Sequence, residues 1–289
     1  MAASSRGNGY PPEPVPPLNP LTGSFLMYTT QSPIQRMRMP FLHQGPELPS
    51  RHQLTLGLNT IWTNTWNYNA HRYVVDEEGW WINPIAEYGL TDRWAVSFSA
   101  PAIYLSGGVM DGFIDNFHRF FGLGDEGRDE APRNRLYVAM RDARGREQVL
   151  LNNNDRGLYG RAPVLSTRVG LGDGLLPLTL KASVSFPALE RHVSTLRQQG
   201  ADAGLSASTA LRWTNHLSTS ASFAYVRTRE SQNATLSLRD WVFSGAINLA
   251  YRASSETAWV AQVLQESGSG DGSGSGYDAA TTEILLGAQ

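Results

Sequence analysis

The residues able to do chemistry fall in two places. Asp111, Asp115 and His118 stand four and three residues apart in "MDGFIDNFHRFFG", so on a helix they share one side. Two carboxylates and an imidazole at that spacing could hold a divalent cation or work as an acid/base pair. A solvated helix face with an ordinary Asp115–His118 pair satisfies the same spacing, and no further carboxylate or second histidine matches it elsewhere. The second place is "RHVST", where His192 precedes Ser194 by two residues and could activate its hydroxyl as a nucleophile. No orienting acid or amide can be named beside this pair. "NNNDRG" (152–157) has too few carboxylates for a calcium loop and reads as a polar turn. The expectation is a chain that is not an enzyme, with no catalytic residues, no metal and no cofactor.

What positions these groups follows from composition and period. The 289 residues carry a formal net charge of −2, which gives no electrostatic case for a nucleic-acid partner. Charged residues make up 17%, below the roughly 25% of an ordinary soluble domain. Cysteine is absent, which excludes disulfide frameworks and thiolate metal sites and is compatible with an oxidising compartment. No run approaches the ~18 to 20 apolar residues of a membrane helix, but a membrane β-barrel needs none, because only alternate residues face lipid. Residues 1–50 open on "MAASSRGNGYPPEPVPPLNP", a proline-rich lead without the apolar core of a secretory signal. They are expected on the periplasmic side, with any export signal outside this chain.

From residue 51 onward the period is two. "WVFSGAINLAY" (241–251) puts Trp241, Phe243, Ile247, Leu249 and Tyr251 on one side and Ser244 and Asn248 on the other. "QLTLGLNTIW", "RWAVSFSA", "LPLTLKASVSF" and "LSASTALRW" repeat the pattern, and weaker cases bring the count to about ten strands. Short turns at 90–93, 172–176, 214–217 and 253–256 alternate with long connections at 67–79, 106–161, 188–202, 229–239 and 267–280. That is the plan of an antiparallel up-and-down transmembrane β-barrel with tight periplasmic turns and long external loops. Tyr88, Trp94, Trp213, Trp241, Tyr251 and Trp259 are the expected aromatic girdle, since amphipathic rings settle between headgroups and acyl chains. A soluble sandwich or water-filled barrel would also alternate. Its solvent face, however, would be rich in Lys and Glu, whereas here the polar parity is Ser, Thr, Asn and Gly with isolated charges. Those charges, Glu87, Arg168, Lys181, Arg212, Arg227, Asp240 and Arg252, are the expected lumen lining, paired or edging a water path.

Within the long external loop (106–161) the period changes to about 3.6. Met110, Phe113, Ile114, Phe117, Phe120 and Phe121 form an apolar stripe opposite Asp111, Asp115 and His118, which predicts a short amphipathic helix over 109–123. The stripe must pack into the barrel mouth, constrict the lumen as a plug or gate, or lie on the outer leaflet. "RLYVAMRDARGREQVLL" reads as a hairpin about Ala143-Arg144-Gly145, and the Gly/Ser-rich 266–276 reads as a flexible connection.

"EYGLTDRWAVSFSAP" and "GGVMDGFIDNFHRFFGLGDEGR" resemble an uncharacterised proteobacterial outer-membrane family of the domain-of-unknown-function 3187 type. The resemblance runs from about residue 18 to 289, and its most specific part is D-x-x-I-x-x-F-H-x-x-F-G, matched from Asp111 to Gly122. It implies a β-barrel-like outer-membrane protein and carries over no catalytic residue. "TTEILLGAQ" lacks the terminal aromatic of most outer-membrane barrels, so a further pair of strands, twelve in all, stays open.

Three functions follow as expectations. The first is a narrow outer-membrane channel or binding barrel for a small solute, plugged or gated by the 109–123 helix. The second is an outer-leaflet lipid hydrolase working through His192 and Ser194, whose H-x-S order is similar to that of outer-membrane phospholipases and lipid A deacylases. Here "TLRQQG" replaces their asparagine–glycine continuation. The third is a structural protein whose loops dock an envelope partner. All three imply contact with the lipid bilayer and lipopolysaccharide.

Overall fold

Alternation becomes strand, and among the described residues one antiparallel sheet takes every strand. The computed structural model describes residues 25–26, 39–40, 43–69, 73–124, 128, 131–141, 146–172, 176–187, 200–228, 239–254, 257–268 and 280–288. The elements in chain order are β1 (Leu54–Asn69), β2 (Tyr73–Thr91), β3 (Trp94–Ser99), β4 (Ala102–Ser106), α1 (Asp111–Phe121), β5 (Tyr137–Arg141), β6 (Glu147–Leu151), β7 (Gly157–Gly160) and β8 (Val164–Gly170). They continue with β9 (Leu178–Ser185), β10 (Ala203–Arg212), β11 (Leu217–Arg227), β12 (Trp241–Arg252), β13 (Ala258–Glu266) and β14 (Thr281–Ala288).

The sheet holds fourteen strands where alternation points to about ten, and the surplus has a local cause. β3 and β4 pair in succession with the same edge of β2, and β8 and β7 pair antiparallel with them one place further out. Pro101 divides the first couple and Pro163 the second; a proline has no N–H to give to the ladder. Each couple is one broken stave. β5 and β6 form the hairpin expected in the long loop, pairing with the far end of β2. Ten full-length staves remain, in the order β1, β2, β3/β4, β8/β7 and then β9 to β14.

The ring is not closed. Among the described residues β1 pairs only with β2 and β14 only with β13, so these two edges share no ladder. Their outward side chains are correspondingly bare, with Ile284 75% and Leu56 70% exposed. Alternation fixes which face a residue takes, and it is silent on whether two strands 200-odd residues apart meet.

The two faces differ as the period requires. Outward stand Leu54, Leu56, Leu58, Phe98, Leu165, Leu205, Phe223, Ile247, Leu249 and Leu286. Inward stand Asn83, Glu87, Ser97, Ser166, Arg168, Ser208, Ser220, Ser244, Asn248 and Gln262, all buried. Inward residues of β2, β8, β9, β12, β13 and β14 all touch one threaded stretch within residues 25–50, so the sheet is rolled around that segment. The proline-rich lead therefore does not stop at the rim; its described part continues along the interior.

Candidate functional site

The interior is organised around Arg168. It stands opposite Ala95 in the β3–β8 register, while Glu87 stands opposite Ser97 in β2–β3. Two small side chains on β3 thus let the guanidinium reach across that strand to a carboxylate two strands away. Arg168 Nη1 lies 2.9 Å from Glu87 Oε1 and 3.2 Å from Oε2, with both side chains at most 1% exposed. Its Nη2 donates to the carbonyls of Gly45 (2.5 Å) and Glu47 (3.0 Å). A buried pair is costly unless further hydrogen bonds complete it, and here the backbone of the threaded segment supplies them.

Neighbouring strands grip the same segment. Thr179 Oγ1 donates to the Pro46 carbonyl at 2.6 Å, and Lys181 Nζ to Gln44 Oε1 at 2.9 Å. His43 Nε2 and Ser244 Oγ are 2.8 Å apart, and Asp202 Oδ2 accepts from the Met39 N–H at 2.8 Å. Further along, Gln262 Oε1 accepts from the Leu26 N–H at 2.9 Å, and Phe25 is buried against Ala246 and Leu264. Small inward residues make the room: a Cβ on Gly89 would sit 2.1 Å from the Ser50 carbonyl oxygen. Burial pushes the His43 imidazole down to about 4, and Lys181 adds to the shift. Burial pushes the Glu47 carboxyl up, against the pull of its own backbone hydrogen bond, Arg168 and Arg212.

Glu87, Arg168 and Lys181 thus meet at one place, on the segment 43–47. Arg212 and Arg252, also of inward parity, lie at the short-turn end, where they line a cavity of about 440 Å³ with Glu47, Asn215, Ser218 and Ala258. Asp240 has inward parity but lies before β12, exposed at the long-loop end, where its carbonyl accepts from the Thr228 N–H at 2.7 Å. Arg227 corrects the sequence expectation. It shares parity with Phe223 and Tyr225 and pairs with Trp241, so it faces outward; the inward residues of β11 are Ser220, Ser222, Ala224 and Val226.

At the long-loop end the interior turns apolar. Val75, Trp81, Ile103, Leu105, Leu136 and Val138 belong to one buried cluster that the β5–β6 hairpin completes with Met140, Leu150 and Leu151. The helix expected to plug the lumen is elsewhere. Glu78, on the outward parity of β2 beyond Trp80, accepts from the N–H groups of Val109 (3.0 Å) and Met110 (2.9 Å) and so caps α1. Asp111 is 2% exposed and receives the Asn134 N–H (2.7 Å), the Asn64 amide (3.1 Å) and Arg128 (2.5 Å). Burial alone would raise the Asp111 carboxyl, but these donors together hold it below the usual carboxylate range. Asn64 and Glu78 belong to the outward face, so α1 lies outside the rolled sheet, and Phe113, Phe117 and Phe121 are exposed there with Phe120. Met110 and Ile114 are half-buried. Sequence period gives a helix its two faces without saying which one the protein takes.

Asp111, Asp115 and His118 are not brought to one ligand position: Asp111 is spent on Arg128, and Asp115 pairs with Arg133 at 2.6 Å. Residues 152–155 form a 3-10 turn in which Asn152 and Asp155 bond each other's backbone. His192 and Ser194 lie outside the described residues. All six expected girdle aromatics have outward parity, and Trp62 and Trp80, which stand opposite each other at a ring distance of 5.1 Å, join them. Trp94 Nε1 donates to Thr167 Oγ1 at 2.7 Å and Trp213 Nε1 to Thr219 Oγ1 at 2.8 Å, so these outward indoles find partners on the sheet itself. Sequence reasoning missed the threaded segment and the apolar cluster; the one available signal was the density of Pro and apolar residues in "MRMPFLHQGPELPS".

A family model described as Protein of unknown function (DUF3187) matches residues 19–289. No curated protein matches the chain. Among solved structures, the P. putida toluene transporter TodX is similar at 7% identity and a TM-score of 0.35, covering 73% of this chain and 71% of that one. A Pseudomonas aeruginosa FadL homologue is similar at 12% identity and a TM-score of 0.31, covering 81% of this chain and 59% of that one.

Proposed function

The chain belongs to the family of proteins of unknown function DUF3187, and from that premise we propose that it is a bacterial outer-membrane barrel that passes or binds a small solute, held shut by its own residues 43–50. The observation that carries this reading is the inverted polarity of the rolled sheet. Apart from Asp76 and Glu78, which the long loop covers, the Arg141–Glu147 pair of the β5–β6 hairpin, and Arg227 at the long-loop end, the described outward strand positions carry no charge. An outward face of Leu, Phe, Ile and Trp suits hydrocarbon and is a liability in water. Inward, hydroxyls, amides and an ion pair would offer a small solute a polar path if the segment withdrew.

The segment is suited to withdraw. It is gripped by hydrogen bonds to its backbone and by Lys181, and most of its partners are side chains that water or solute could satisfy. Detergent-dependent solubility and a heat-modifiable gel band test the barrel. Single-channel recording tests the plug: replacing residues 43–48 by a Gly/Ser stretch of equal length raises conductance over the intact chain. Equal conductance in the two proteins rejects the plug while leaving the barrel standing.

A further inference from the structure

We propose that α1 is a lipid-facing anchor, lying in the outer leaflet with its phenylalanine stripe among the acyl chains. The inference rests on the membrane reading above and goes beyond it. An amphipathic helix on a protein in water turns its apolar face to the protein. This one does the reverse. Its polar side is fixed inward by Asp111, clamped between Arg128, Asn64 and the Asn134 N–H, and by the Asp115–Arg133 pair. Its other side presents Phe113 64%, Phe117 45%, Phe120 82% and Phe121 59% exposed, with Val109 and Leu123 extending the stripe at either end. Phe117 and Phe121 meet at 4.6 Å with their rings tilted, and Phe120 meets Phe121 edge-on at 4.9 Å, so the rings form one continuous patch.

The height of the patch identifies its occupant. Asn64 and Glu78, which hold the start of α1, are opposite each other in the β1–β2 register, and the next outward pair toward the short turns is Trp62 and Trp80. Two residues along a strand span about 7 Å, so the strand residues that hold the start of α1 stand one outward step from a tryptophan pair of the kind that settles at a membrane interface. The patch is therefore tethered at the end of β1 and β2 that lies next to their outward apolar belt. A helix of large amphipathicity in that position buries its apolar face some 5–10 Å into the boundary between headgroups and acyl chains. The termini are built to hold the helix there. Glu78 caps the start, and Gly122, at φ +64°, closes the end with the Leu123 N–H returning to the His118 carbonyl.

The natural chain has no cysteine, so single-cysteine variants report single positions. The full chain carrying Phe120→Cys, labelled with an environment-sensitive fluorophore, is inserted into phosphatidylcholine vesicles, beside Arg119→Cys on the opposite face and Ile247→Cys on β12. The expected result is blue-shifted emission at 120 that nitroxide-bearing lipid quenches and aqueous iodide does not, with the reverse at 119. If the label at 120 is quenched by iodide as strongly as at 119 while 247 answers to lipid nitroxide, the anchor is overturned and the barrel stands. If 247 also answers only to iodide, the membrane reading falls and the anchor falls with it.

Discussion

His43 Nε2 lies 2.8 Å from Ser244 Oγ across 201 residues of chain, so the segment 43–50 is held to a wall strand by its first residue. A chain carrying His43→Cys and Ser244→Cys, bridged through two thioether bonds by a short bis-maleimide, keeps the segment in place. The bridged protein is expected to stay at baseline conductance even with Arg168→Gln added. Currents that open in the bridged triple variant would show that solute passes by another route.

Arg168→Gln leaves Glu87 buried without its cation and strips the Gly45 and Glu47 carbonyls of a donor. Breaking a buried pair from one side costs about 3–5 kcal/mol. Faster maleimide labelling of a cysteine placed at Leu48 and a lower unfolding midpoint in urea are expected. The double change Arg168→Gln with Glu87→Gln recovers part of the stability, because neither side then carries an unpaired charge.

Ile247 stands outward near the middle of β12 and is 62% exposed. Ile247→Arg is expected to destabilise folding into vesicles by about 2–4 kcal/mol, the cost of a charge on the lipid face near the midplane. On a water-exposed strand the same change would be neutral, so an unchanged folding midpoint refutes the membrane placement of this face.

Acid should loosen the segment through one group and tighten it through another. His43 is held neutral at about 4 against an ordinary 6.5. As pH falls from about 6.5 to 4 the released segment takes up a proton that the docked one refuses, and docking weakens by on the order of 3 kcal/mol. Glu47 is shifted upward, so its contribution is present at low pH and lost as pH rises past its ordinary 4.5. Labelling at a Leu48 cysteine should therefore speed up on acidification in the parent and slow down in His43→Gln. The same direction in both proteins would remove His43 from the account.

Arg128 bridges Asp76 at 2.7 Å and Asp111 at 2.5 Å and lies over the Trp66 ring at 4.8 Å. Arg128→Met leaves two buried carboxylates facing each other and frees the start of α1 from β2. Protease cleavage within residues 107–135 is expected to accelerate, with the heat-modifiable band unchanged, since the staves do not depend on this contact.

Much of this protein was legible from side-chain parity alone. The period of two determined which residues of β9 to β14 point outward, and the scarcity of charge on that parity, Arg227 at a strand end excepted, determined what the outer face can touch. The change to a 3.6 period determined α1, expected over 109–123 and found at Asp111–Phe121. Arg168 and Glu87 could be marked as inward charges, but their pairing needed the register that sets Ala95 and Ser97 between them. Arg227 is expected with the inward charges, but β11 runs on to it and the parity of Phe223 and Tyr225 turns it outward. Tertiary structure alone decided the rest: that residues 43–50 thread the interior, that β1 and β14 share no ladder with each other among the described residues, and that α1 turns its phenylalanines away from the sheet. The reason is physical. Local periods follow from φ/ψ geometry and are written every few residues, whereas occupancy of a shared interior is a competition among groups far apart in the chain, and each had partners only once the sheet had rolled.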